Sequence, residues 1–172
     1  MAQQSVINDR MTISVEEDFV VLLIGMRINK WWKIHKWLPI AIAMRRMITE
    51  LVDDPDSGLL GGQYQTVGNP ICYVQYWRSY EALLAYSHSS EKRHQKAWRG
   101  FYKKIGTSGD VGIWHEAYRI APGQYESVYI NMPPFGLGQI GPLLPARGQR
   151  ETSRGRMDSV RAKDSEHDKT PA

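Results

Sequence analysis

Three histidines are the side chains of this sequence best suited to move a proton or bind a metal. His94 shares helical spacing with Ala97, Trp98, Phe101 and Ile105, so a helix there would turn its imidazole inward with the apolar stripe. An inward imidazole serves as a general base, a hydrogen-bond donor or an axial ligand to iron, or it is a core histidine with a satisfied partner. His35 sits within Trp31–Trp37, WWKIHKW, where it is either catalytic or one member of an aromatic packing cluster. His115 alternates with Val111, Ile113 and Ala117, the apolar face of a strand, and burial there fits structure as well as function. His88 and His167 fall in loop and tail.

Around these lie groups that could hold a ligand. Arg27 and Asn29 end an apolar run on its less apolar face and could hydrogen-bond an anionic or oxygenated molecule; the structural alternative for Arg27 is an ion pair with Glu116. All six tryptophans fall between positions 31 and 114. Trp32, Trp77, Trp98 and Trp114, with Tyr73, would wall an aromatic volume suited to a flat hydrophobic substrate or a haem, or would fill a core. The single cysteine, Cys72, excludes an intramolecular disulfide framework and any multi-cysteine zinc site. No metal site is expected unless His94 ligates a haem. The chain has no GxxxxGK[ST], HExxH or GxSxG, and its GLGQIG follows no strong strand, so P-loop, zincin, serine-hydrolase and dinucleotide chemistry are excluded.

These candidates need a scaffold. Phe19–Asn29, FVVLLIGMRIN, reads as a buried strand whose Val20, Leu22, Ile24, Met26 and Ile28 face should lie under helices. Pro39 predicts a helix from about residue 39 to Val52, with the tryptophan-rich segment before it a separate turn or lid. Leu59–Val67 and Ile71–Tyr80 flank Gly68-Asn69-Pro70 as a hairpin. A second helical region starts at Ser79, is interrupted near Ser87–Ser90 and resumes from Glu91 to Ile105. Asp110–Ile120 is the last strong strand, with Gln124–Asn131 as a further edge. The order is β-α-β-β-α-β, an α+β ferredoxin-like pattern. Two helices cover one face of such a sheet, so the Tyr73/Gln75/Trp77 face is expected to pack against a second copy in a homodimer.

Composition sets the limits. At 172 residues, 42% hydrophobic and 23% charged, the chain has the make-up of a globular domain. From Pro145 to Ala172 there are seven Lys/Arg, five Asp/Glu and no aromatic residue, the make-up of a disordered tail. The expected organisation is a flexible stretch over 1–15, one domain over 16–144 and a tail over 145–172. The basic residues of 27–46 and 92–104 read as solvated helix faces, and no aromatic-interleaved surface suggests nucleic acid. No apolar run approaches a membrane span, and the first residues carry no signal-peptide core. A cytoplasmic protein without nucleic-acid or membrane partners is expected.

Longer motifs carry a resemblance. LIGMRINKWWKIHKWLPIA, DPDSGLLG, VQYWRSYEAL, KAWRGFYKKIGTSGDVGIWHEAY and PGQYESVYINMPPFGLG resemble the monooxygenase-like family named after a fumagillin-cluster monooxygenase, formerly a domain of unknown function, over about residues 19–138. The resemblance implies a dimeric α+β barrel. That group includes antibiotic-biosynthesis monooxygenases, which oxidise aromatic or terpenoid intermediates without metal or flavin, and haem proteins such as aldoxime dehydratases and haem-degrading monooxygenases. SSEKRHQKAW around His94 is similar to the helix that bears the pocket histidine in several of these relatives. The implied activity is a small oxygenase of specialised metabolism acting on a hydrophobic aromatic or terpenoid intermediate with no cofactor. A haem enzyme held by His94 and a non-catalytic ligand-binding dimer are the alternatives.

Overall fold

The computed structural model describes residues 5–65, 69–88 and 106–159. In chain order its elements are β1 (Ile7–Ile13), β2 (Phe19–Ile28), α1 (Ile34–Val52), β3 (Leu59–Gln65), β4 (Ile71–Trp77), α2 (Tyr80–His88), β5 (Val111–Ile120), β6 (Tyr129–Met132) and β7 (Leu143–Pro145). Contacts divide the chain into two units, residues 20–118 and residues 1–19 with 119–172.

The first unit carries a four-stranded sheet in the order β3-β4-β2-β5. With β2-α1-β3-β4-α2-β5 along the chain, that is the ferredoxin-like α+β fold. Ten residues rich in Val, Ile and Leu make β2 a central strand, paired on both sides. Its antiparallel register with β4 sets Val20 opposite Trp77, Leu22 opposite Gln75 and Ile24 opposite Tyr73. Cross-strand partners share a face, so Tyr73, Gln75 and Trp77 lie on the helix-covered side. The expected dimer face is therefore corrected. Trp77 is fully buried and packs with Val20, Leu22 and Leu51 in one core cluster, while Met26, Ile28 and Val111 form a second under Trp37, Ile40 and Met44. The opposite face carries Val21, Leu23, Gly25 and Arg27 with Cys72, Val74 and Tyr76. Val74 and Tyr76 on that face are themselves buried. At Gly25 a Cβ would collide with the Ile71 carbonyl and meet the Trp114 indole at 2.8 Å, so only glycine allows this approach.

Helix α1 begins at Ile34, five residues before the expected proline start, and Pro39 lies inside it. Local contacts outweigh the bias against helix before proline. Trp37 stacks edge-on against Trp31 at 5.7 Å and its indole N–H donates to the Trp31 carbonyl at 3.0 Å. Lys30 and Lys33 reach the buried Asp110 carboxylate at 2.8 and 3.0 Å, which ties the segment entering α1 to the start of β5. At α2 the Ser79 hydroxyl accepts from the Ala82 N–H at 3.1 Å, the expected cap.

The second unit holds the sheet β6-β1-β7, and here two expectations are corrected. Residues 7–13, expected to be flexible, form β1, paired with β6 on one side and β7 on the other. Residues 145–159, expected to be a disordered tail, are ordered: the Ala146 N–H donates to the Arg10 carbonyl at 2.8 Å, and residues 153–159 are helical. Arg156 is 7% exposed; it pairs with Glu126 and donates to the carbonyls of Arg150 and Glu151. Specific polar contacts of this kind hold a segment whose composition alone lacks an apolar core.

Candidate active site

Between the helix-covered face of the four-stranded sheet and helices α1 and α2 lies a cavity of about 310 Å³. Leu22 and Ile24 of β2 line it from the sheet, Met44, Ile48 and Leu51 from α1, and Leu83 and Leu84 from α2. The periodicity of each element puts these aliphatic side chains there, period 2 from the strand and three-to-four from the helices. A small polar set is added by Gln75, Tyr80, Tyr86, Ser87 and His115.

Four of these groups are defined by their surroundings. The Gln75 side-chain carbonyl accepts from the Trp77 indole N–H at 2.8 Å. The phenol of Tyr86 is pushed up to about 12, first by burial and then by the Glu50 and Asp54 carboxylates, so it stays neutral and able to donate. Its ring lies 5.5 Å from that of Trp77. The Ser87 hydroxyl donates to the Leu84 carbonyl at 2.9 Å, which removes it as a free nucleophile. His115 is exposed on β5, an edge strand, on the face of Val111 and Ile113, and so stands at the rim. An apolar chamber with a rim base and neutral donors on its wall can hold a carbon acid, take its proton and exclude water.

The expected site residues disperse around this chamber. His115 and Trp77 line it. Tyr73 shares the face but packs edge-on against Tyr64 at 4.7 Å. His35 is exposed in the first turn of α1, and Trp32 is 74% exposed before it. Arg27 lies exposed on the other sheet face; it makes no ion pair with Glu116, whose carboxylate instead accepts from the Tyr118 hydroxyl at 2.5 Å. Trp114 packs over Gly25 on that same face. Asn29 donates to the Gly109 carbonyl at 3.1 Å, a structural role. His94 and Trp98 lie outside the described residues, as does the expected helix from Glu91 to Ile105. Gln75 and Tyr86 were not singled out as site residues, although Gln75 shares strand parity with Trp77. No cluster of three or more His, Cys, Asp or Glu able to hold a metal occurs among the described residues, and no described helix is long and apolar enough to cross a membrane.

A solved structure of aldoxime dehydratase OxdRE in complex with butyraldoxime superposes with a TM-score of 0.66 at 15% identity, over 83% of this chain and 44% of that one; the likeness is one of fold. SnoaB, a cofactor-independent oxygenase from Streptomyces nogalater, overlaps 59% of this chain and 91% of that one at 9% identity and a TM-score of 0.43, a score that bears on neither site nor chemistry. Monooxygenase af470 of Aspergillus fumigatus is 31% identical over 78 residues, which is 45% of this chain and 27% of that protein. The chain thus spans about a quarter of the length of that curated relative. Residues 19–137 match the description of monooxygenase af470-like proteins, and with most of its length so matched, the chain belongs to the monooxygenase af470-like family.

Proposed function

We propose that the 310 Å³ cavity is the substrate chamber of a small oxygenase acting on a hydrophobic aromatic or terpenoid intermediate without metal or flavin. The observation that carries this reading is the lining: aliphatic and aromatic walls, the buried Gln75 amide, the half-buried Tyr86 phenol and one histidine at the rim. An electron-rich methylene gives its proton to His115, and the carbanion passes one electron to O₂. The resulting radical pair joins as a C–O–O⁻ adduct, which takes up a proton and loses water from the same carbon. The balance is R₂CH₂ + O₂ → R₂C=O + H₂O, with every electron supplied by the substrate. The protein contributes orientation, desolvation and charge stabilisation.

The haem alternative rests on His94, which lies outside the described residues. A homodimer is part of the proposal; its support is the exposed apolar stripe of Ile34, Leu38 and Ile42 along α1 beside Trp32. Light scattering should give twice 19.7 kDa at micromolar concentration.

Anthrone, a tricyclic carbon acid with one oxidisable methylene, is a direct probe. The protein should speed its conversion to anthraquinone, with one O₂ consumed per product. His115→Gln should lower that rate by about 10²–10⁴-fold and leave the melting temperature unchanged, because the side chain is exposed. A fully active His115→Gln protein would remove His115 from the chemistry.

A further inference from the structure

The Gln75–Trp77 pair carries an inference about what the chamber recognises, and it rests on the reading of the cavity as a substrate site. Gln75 is 6% exposed, lines the cavity, and is bonded through its side-chain oxygen to the Trp77 indole. An indole N–H can only donate, so the atom facing it must be the carboxamide oxygen and the amide cannot be flipped. That leaves the NH₂ group, two donors, without a partner among the described residues. An N–H opening onto an apolar chamber gains when a ligand oxygen accepts from it. The aliphatic lining of Leu22, Ile24 and Leu51 offers no such acceptor.

We propose that Gln75 is a specificity-determining residue, its amide N–H donating to an oxygen acceptor on the ligand, a ketone or quinone-type carbonyl in the interior of the chamber. The chamber then takes oxygenated ring systems in preference to pure hydrocarbons. The reaction class that supplies its substrate is one that has already installed a carbonyl or phenolic oxygen. Trp77 acts as a positioning residue: with zero exposure and a bond to the amide oxygen, it holds the donors in one orientation.

The test uses 9-fluorenone and fluorene, which share a tricyclic frame and differ by one carbonyl oxygen. Neither has the reactivity of anthrone, so binding is read without turnover. Calorimetry with the full chain should show fluorenone bound roughly three- to tenfold more tightly than fluorene, the worth of one net hydrogen bond. Its carbonyl stretch should move to lower wavenumber in the complex. Gln75→Glu keeps an acceptor for Trp77 but removes the amide donors, and should abolish both the preference and the shift. Gln75→Met provides a second, uncharged variant, and it too should bind the two probes equally. Equal binding of both probes to the wild-type protein would overturn the Gln75 proposal and leave the cavity as a site. Binding of neither would overturn both.

Discussion

Replacing Leu51 by alanine tests the architecture of the chamber through its stability. Leu51 is 2% exposed and packs in the cluster of Val20, Leu22 and Trp77, while also lining the cavity. Truncating a buried leucine costs about 2.7–5 kcal/mol, the spread set by the void left behind. Here one side of Leu51 already borders empty volume, so fewer contacts are lost there than in a closed core. The expected loss is therefore near the low end, about 3 kcal/mol, or a fall in melting temperature of roughly 6–12 °C. Tryptophan emission is the right probe, because all six tryptophans lie within residues 20–118, the unit that contains Leu51. Urea titration should show a lower midpoint with an unchanged slope. The enlarged chamber should also accept bulkier ring systems. A loss under about 1 kcal/mol would show that Leu51 does not pack on Trp77, and one above about 5 kcal/mol that it borders no cavity.

Other outcomes follow from features outside the chamber. Asp110 is held at about 2, against an ordinary 3.8, first by hydrogen bonds from Lys30 and Lys33. Its contribution to stability should be complete above about pH 4 and disappear as the pH falls toward about 2, and Asp110→Asn should flatten that part of a stability-against-pH curve. Gly25→Ala forces a Cβ onto the Ile71 carbonyl and should cost about 1–3 kcal/mol by urea titration. Arg156→Ala leaves Glu126 and two carbonyls without their donor. Its cost, roughly 2–3 kcal/mol, falls below that of a fully buried pair because Glu126 is 26% exposed. Far-ultraviolet circular dichroism reads that change, since no tryptophan lies in that unit. Truncation after Pro145 should destabilise the same unit, because it removes Arg156 and Ala146.

How much was legible in the sequence depended on whether the deciding interaction was local. The alternation in Phe19–Asn29 marks a strand with one helix-covered face, and Ser79 marks the start of α2; both are local patterns, and both are present. The parity of β4 was not legible. Cys72/Val74/Tyr76 and Tyr73/Gln75/Trp77 both carry large aromatic side chains, and a shift of one residue in pairing exchanges them between faces. Choosing the wrong set hid Gln75 from the site. The start of α1 turned on a Trp31–Trp37 contact that overrides Pro39, and the order of residues 145–159 turned on Arg156 meeting a glutamate 30 positions away. The alternation of His115 with Val111 and Ile113 marks its face of the sheet, although nothing in that pattern separates a rim position from a buried one.

The parity of β4 is held at one end by a side chain imitating a peptide. The Asn69 carboxamide accepts from the Ile28 N–H at 2.9 Å and donates to the Ile28 carbonyl at 2.7 Å, so it pairs with the end of β2 as another strand residue would. Conversion of this asparagine to aspartate would set a carboxylate against the Ile28 carbonyl and cancel half of the clasp. The common route to that conversion is attack by the nitrogen of the following residue on the side-chain amide. At Asn69 the following residue is Pro70, whose nitrogen bears no hydrogen and cannot complete the cyclisation. The clasp that keeps Gln75 and Trp77 facing the chamber is thereby protected against the slow chemistry by which exposed asparagines age.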